Sequence, residues 1–205
     1  MIIKVCGIRT LQNLTYLAKS DVDWVGFIFY KKSKRNFSNG DLTKEFMRSF
    51  GKQKVGVFVN ESVDTITELV AEYGLDMVQL HGDESPEFCM VVRKTGVKVM
   101  KAFSVYDELP DDLKDYASAI DYALFDTKGV ERGGNGVQFD WSVLEGYDLD
   151  VPFLVSGGIS VGDAAKLKQI KNQKMAGVDI NSRFEIEPGL KDETLVEEFL
   201  KQIKR

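Results

Sequence analysis

Eight short apolar runs, rich in β-branched and aromatic residues, recur along the whole chain and restrict its fold more than any other feature. They are Ile2 to Ile8, Trp24 to Tyr30, Val55 to Val59, Met77 to His81, Val97 to Phe103, Tyr122 to Asp126, Phe153 to Ser156 and Gly177 to Ile180. Each has the length of a strand. Their centres lie roughly 20 to 30 residues apart, the span of a compact strand-plus-helix unit. Several are apolar on both faces, as parallel strands covered by helices are.

The intervening segments carry helical periodicity. Leu11, Leu14, Leu17 and Ala18 share one face, as do Val63, Ile66, Val70 and Tyr73, and Leu195, Val196, Phe199 and Ile203. Ser85-Pro86-Glu87 sets a serine cap before a first-turn proline and an acidic residue that suits the helix dipole. The segments around Leu113, Val143 and Leu167 are short, so their return helices are expected to run only two or three turns. Eight units without a composition break or long linker predict an α/β fold with a single domain over 1–205, a closed (β/α)8 barrel of the TIM type, small for its class. An open doubly wound sheet is the competing arrangement, but neither end of the series has the short or polar edge strand it should leave.

Composition excludes several functional classes. A net charge of -5 argues against wholesale nucleic-acid binding, because phosphate neutralisation needs a basic surface. No run is long enough to span a membrane. The two cysteines, Cys6 and Cys89, are far apart and the chain has one histidine, which rules out a zinc-finger framework and argues against a disulfide scaffold. No metal-ligand cluster stands out, and nothing before Lys4 resembles a targeting signal, so a cytoplasmic location is expected.

In a parallel barrel the C-terminal mouth collects residues from every strand end. Here those ends are Cys6-Gly7, Tyr30 with the loop Lys31 to Arg35, Gln79 to Asp83, Phe125 to Lys128, Ser156-Gly157-Gly158 and Asp179 to Ser182. Taken singly, Cys6 is well explained as a small core residue, Asp126 as a cap and His81 as a hydrogen-bonded core histidine. Together they concentrate reactive groups beyond what a structural barrel needs. Ser156-Gly157-Gly158, directly after a strand, lets backbone N–H groups approach an anion without Cβ interference. Gly133-Gly134-Asn135-Gly136 suggests a flap over the mouth.

These motifs, in this order and spacing, resemble the phosphoribosylanthranilate isomerase family from end to end. The resemblance rests on Lys4-Val5-Cys6-Gly7-Ile8, Gly26 to Tyr30 with Ser33-Lys34-Arg35, Val55 to Asn60 and Val78 to Glu84. It continues through Phe125-Asp126-Thr127-Lys128, Gly133 to Gly136 with Phe139-Asp140-Trp141, Ser156-Gly157-Gly158 and Pro188 to Asp192. It implies an isomerase of tryptophan biosynthesis that performs an Amadori rearrangement with no cofactor and no metal. The substrate is a small phosphosugar, and the chain is expected to work as a monomer or homodimer without nucleic-acid or membrane partners. By matching position, Cys6 is the general base and Asp126 the general acid. Arg35 meets the anthranilate carboxylate, His81 and Asp179 line the mouth, and Ser156, Gly157, Gly158, Asn181, Ser182 and Arg183 surround the phosphate.

A base and an acid of these types need opposite perturbations: a thiol pulled down by positive potential and a carboxyl kept protonated. Strand period two points Lys4 to the same side as Cys6, into the barrel, where an ammonium needs a carboxylate partner. One position departs from the family pattern, with Arg183 standing where a glycine is usual. Its side chain either contacts the phosphate or lies in solvent. A histidine-pathway aminoaldose isomerase is the nearest rival, but it would carry a carboxylate in place of Cys6. Indoleglycerol phosphate synthase would want lysine and glutamate, and a non-catalytic phosphosugar-binding barrel would not need both Cys6 and Asp126.

Overall fold

The computed structural model describes residues 1–127 and 138–204. Eight parallel strands close into a barrel in sequence order: β1 (Ile2–Val5), β2 (Trp24–Ile28), β3 (Gln53–Phe58), β4 (Met77–Leu80), β5 (Lys98–Val105), β6 (Tyr122–Thr127), β7 (Phe153–Val155) and β8 (Met175–Ile180). Closure is made by β1 on β8, with Ile2 opposite Gly177 and Lys4 opposite Asp179. The open-sheet alternative is therefore excluded.

Alternation along the strands builds two apolar layers. Outward residues such as Ile3, Val5, Val25, Phe27 and Val99 are buried against the helices. Inward residues Trp24, Val55, Met77, Met100, Leu124 and Leu154 fill the lower barrel. Above that plug the inward positions turn polar.

Helices α1 (Leu11–Lys19), α2 (Lys44–Ser49), α3 (Val63–Tyr73), α4 (Pro86–Lys94), α5 (Ala164–Leu167) and α6 (Glu193–Ile203) surround the barrel. Most begin on a side chain able to take up an orphan N–H. Thr10, Thr43, Ser62, Ser85 and Asp192 each accept from the first turn of the helix that follows. The expected short returns are tighter than α-helix: Asp111–Tyr116 and Trp141–Gly146 are 3-10 turns, and α5 has only four residues. Two elements were not anticipated, namely α2 and an antiparallel hairpin of β9 (Glu185–Glu187) and β10 (Leu190–Lys191). The buried Asn13 of α1 pins that hairpin, accepting from the Lys191 N–H at 2.7 Å and donating to its carbonyl at 3.1 Å. Among the described residues no helix is long and apolar enough to cross a membrane. Cys89 lies in the packed shell, where burial pushes its thiol up to about 11, as an inert core cysteine requires. Lys128 and the Gly133 to Gly136 cluster lie outside the described residues.

Candidate active site

The polar upper layer opens into a cavity of about 490 Å³ at the C-terminal mouth. Every expected site residue lines it except Arg183, which is exposed beside it. Asn181 and Ser182 present the end of β8 to the cavity, and the basic loop after β2 contributes Lys32, Lys34 and Arg35.

On one side stand Lys4, Cys6 and Asp179. The Lys4 ammonium is fully buried and donates to Asp179 Oδ2 at 2.8 Å, which supplies the carboxylate its inward direction demanded. Room for this group comes from Gly26 on the adjacent strand. A Cβ there would lie 2.8 Å from the Cys6 sulfur and 3.2 Å from Lys4 Nζ. Burial alone would lower the Lys4 pKa, but Asp179 and then Cys6 outweigh it and hold the ammonium above 10.5. The Cys6 thiol does not follow the expectation of a lowered pKa. Burial raises it above 9.0, and the pull of Lys4, with a smaller one from Lys191, offsets only part of that rise. Desolvation by the barrel wall is the larger effect, which a reading of neighbouring charges alone could not weigh.

Opposite stand Asp126, His81 and Gln79. The Gln79 amide nitrogen lies 3.0 Å from His81 Nδ1. The ring tautomer decides which of the two donates, and the other ring nitrogen is Nε2. That nitrogen faces Asp126 Oδ2 at 3.3 Å, while Oδ1 accepts from the Thr127 N–H at 2.9 Å. Oδ1 is thereby oriented by the backbone, and Oδ2 lies beside the imidazole. Gln79 Oε1 and Asp179 Oδ1 are buried in this layer without a hydrogen-bond partner.

The loop after β7 packs directly on Asp126. Gly157 and Gly158 adopt φ of +88° and +62°. A Cβ at Gly157 would fall 2.3 Å from Thr127 Oγ1, 2.6 Å from Thr127 N and 2.8 Å from Asp126 Oδ1. The loop is tied from below, since Gln138 donates to the Gly158 carbonyl at 3.0 Å and to Asp163 at 2.7 Å. Gly157→Ala is therefore expected to displace Asp126. Steady-state turnover should fall about 10²-fold, the effect of an ångström-scale misplacement. A variant that keeps wild-type turnover would remove the link between this loop and the acid.

Arg35 reaches the mouth from the basic loop and makes a side-on pair with Glu185, Nε to Oε2 at 2.9 Å and Nη2 to Oε2 at 2.7 Å. Glu185 also accepts from the buried Lys191 Nζ at 2.6 Å. Sequence reasoning missed both Glu185 and Lys191. The signal that could have found them was the Pro188-Gly189 turn that brings them together, inside a stretch that already matched the family.

Comparison with known proteins points the same way. The family model described as "N-(5'phosphoribosyl)anthranilate (PRA) isomerase" matches residues 3–202. An N-(5'-phosphoribosyl)anthranilate isomerase of Parabacteroides distasonis is 43% identical, aligning over 99% of this chain and 93% of its own length. One from Phocaeicola vulgatus is 41% identical over 100% of this chain and 98% of its own. A crystal structure of phosphoribosyl anthranilate isomerase in complex with reduced 1-(o-carboxyphenylamino)-1-deoxyribulose 5-phosphate superposes with a TM-score of 0.80 at 31% identity, covering 100% of this chain and 99% of that one.

Proposed function

The chain belongs to the N-(5'-phosphoribosyl)anthranilate isomerase family, and from that premise we propose how its barrel mouth carries out the family's reaction. That reaction is the Amadori rearrangement of N-(5'-phosphoribosyl)anthranilate to 1-(2-carboxyphenylamino)-1-deoxyribulose 5-phosphate, an isomerisation in tryptophan biosynthesis.

Asp126 gives its proton to the furanose ring oxygen as the C1–O bond breaks, and the anthranilate nitrogen takes up the positive charge as an iminium. The Asp126 carboxylate left behind is held by the Thr127 N–H on Oδ1, with the His81 imidazole 3.3 Å from Oδ2. Cys6, as thiolate, removes the C2 proton. The electron pair flows toward nitrogen, giving an enolamine that tautomerises to the ketone. The thiol is raised in the free protein by burial, so Cys6 reacts from the fraction that has given its proton to solvent, a fraction that the positive charge of the iminium beside it enlarges.

Arg35 receives the substrate carboxylate, and the phosphate sits against Ser156, Gly157, Gly158, Asn181 and Ser182 at the other end. Asp179 and Gln79 line the cavity around the sugar. Two anionic anchors thus hold the ring between acid and base, so binding energy remote from the reaction positions it.

The single observation that carries these assignments is that one cavity holds Cys6 and Asp126 together with both anion anchors. The test is purified protein mixed with freshly formed phosphoribosylanthranilate while its fluorescence is followed. A protein-dependent decay is expected. Decay no faster than in buffer, with phosphosugar still bound, would leave a binding barrel instead.

A further inference from the structure

The hairpin after β8 adds no strand to the barrel, yet it carries a densely bonded charged cluster. Glu185 has a side chain only 4% exposed. It accepts from Arg35 Nε at 2.9 Å and Nη2 at 2.7 Å, from Lys191 Nζ at 2.6 Å and from the Gly189 N–H at 3.0 Å. Lys191 Nζ also donates to Asn181 Oδ1 at 2.6 Å. The two ends of the cluster meet behind the base, because a Cβ on Gly7, the residue after Cys6, would lie 3.0 Å from both Arg35 Cδ and Asn181 Oδ1.

We propose that Glu185 and Lys191 are positioning residues for the rearrangement: Glu185 holds the Arg35 guanidinium so that it meets the substrate carboxylate, and Lys191 ties Glu185 to Asn181 at the phosphate end. The geometry of the fork supplies the reason. Glu185 uses the Nε edge and one Nη2 hydrogen, which leaves the Nη1–Nη2 end for a second bidentate partner. Charge agrees with this. One carboxylate between two cations leaves a single net positive charge, matched to a monoanionic carboxylate. Burial keeps Lys191 from serving the substrate directly and fixes it as a tie between the two anchors.

The inference rests on the reaction proposed above, and the test separates the two. If wild type fails to turn over phosphoribosylanthranilate, the reaction is wrong. If wild type is active, Glu185→Gln should raise KM at least tenfold and leave kcat within about threefold, since a carboxylate anchor acts alike on substrate and transition state. In an Arg35→Lys background Glu185→Gln should change KM less than twofold, because the residue acts through Arg35. Lys191→Met should weaken competitive inhibition by inorganic phosphate at least fivefold. Glu185→Asp keeps the charge and withdraws the carboxylate. It should also raise KM, and it serves if Glu185→Gln does not fold. An unchanged KM with only a lower melting temperature, or effects that simply add to those of Arg35→Lys, would make the cluster structural and overturn the proposal.

Discussion

Asp126→Asn and Cys6→Ser should each lower kcat by about 10² to 10⁴, the usual contribution of one general acid or base. Asparagine keeps the Thr127 N–H bond through its one oxygen but has no carboxyl proton to give. Serine keeps the size of Cys6, yet its hydroxyl is too weak an acid to supply an anion near neutrality. Neither change should unfold the protein, since both side chains sit at the mouth rather than in the shell. If either variant stays within a few-fold of wild type, its role as acid or base is lost. A pH profile adds a sign. Thiolate is the active form and burial places the free thiol above 9.0, so the Cys6 limb of kcat/KM ascends with pH and has its midpoint above that value. In kcat, which reports the complex, the same limb should lie lower, because the iminium then stands beside the sulfur. Identical midpoints would remove the substrate's charge from the mechanism.

Lys4→Met should destabilise the barrel by about 3–5 kcal/mol, the cost of leaving one member of a buried ion pair alone. Asp179 would keep a buried carboxylate with neither oxygen bonded, given that Oδ1 already lacks a partner. The urea midpoint measures this. Lys4→Met/Asp179→Val should regain most of the loss and none of the activity, because an apolar pair fills the space without supplying charge. The pH dependence has a definite sign too. The ammonium is held above its ordinary 10.5, so the Lys4 contribution fades only as pH climbs through the folded value, while at the acid end burial holds the Asp179 carboxyl above its ordinary 3.8 and the pair is lost there as the carboxylate takes up a proton. Lys4→Met should also move the Cys6 limb to higher pH, as the largest opposing charge is gone. An unmoved limb would mean that Lys4 supports the fold and not the base.

The barrel was legible because its signal is periodic and repeated: apolar runs buried on both faces, spaced by strand-helix units, tolerate few architectures. The mouth was legible as far as strand ends are local. Cys6, His81, Asp126 and Asp179 each lie in or at the end of an apolar run, toward its C-terminal side, and period two turned Lys4 inward. What stayed hidden depends on distance or on balance. The Lys4 partner lies on the strand that closes the ring, 175 residues away. Glu185 and Lys191 sit on strands of three and two residues, too short to show alternation. Helix α2 buries little beyond Met47, so it carries no clear apolar stripe. The thiol pKa is a contest between burial and charge, and a sequence reveals the charges but not the depth.

The Lys4–Asp179 bond joins the first strand of the barrel to the eighth, and this sets when the catalyst can exist. A ribosome delivers Lys4 and Cys6 well before Asp179, which is followed by the hairpin that braces Arg35. Until β8 docks, Lys4 has no carboxylate to justify its burial, so the partly made barrel should keep β1 solvated and its thiol inert. Activity therefore switches on as a property of the closed barrel, and loss of β8 should abolish it outright rather than reduce it in proportion.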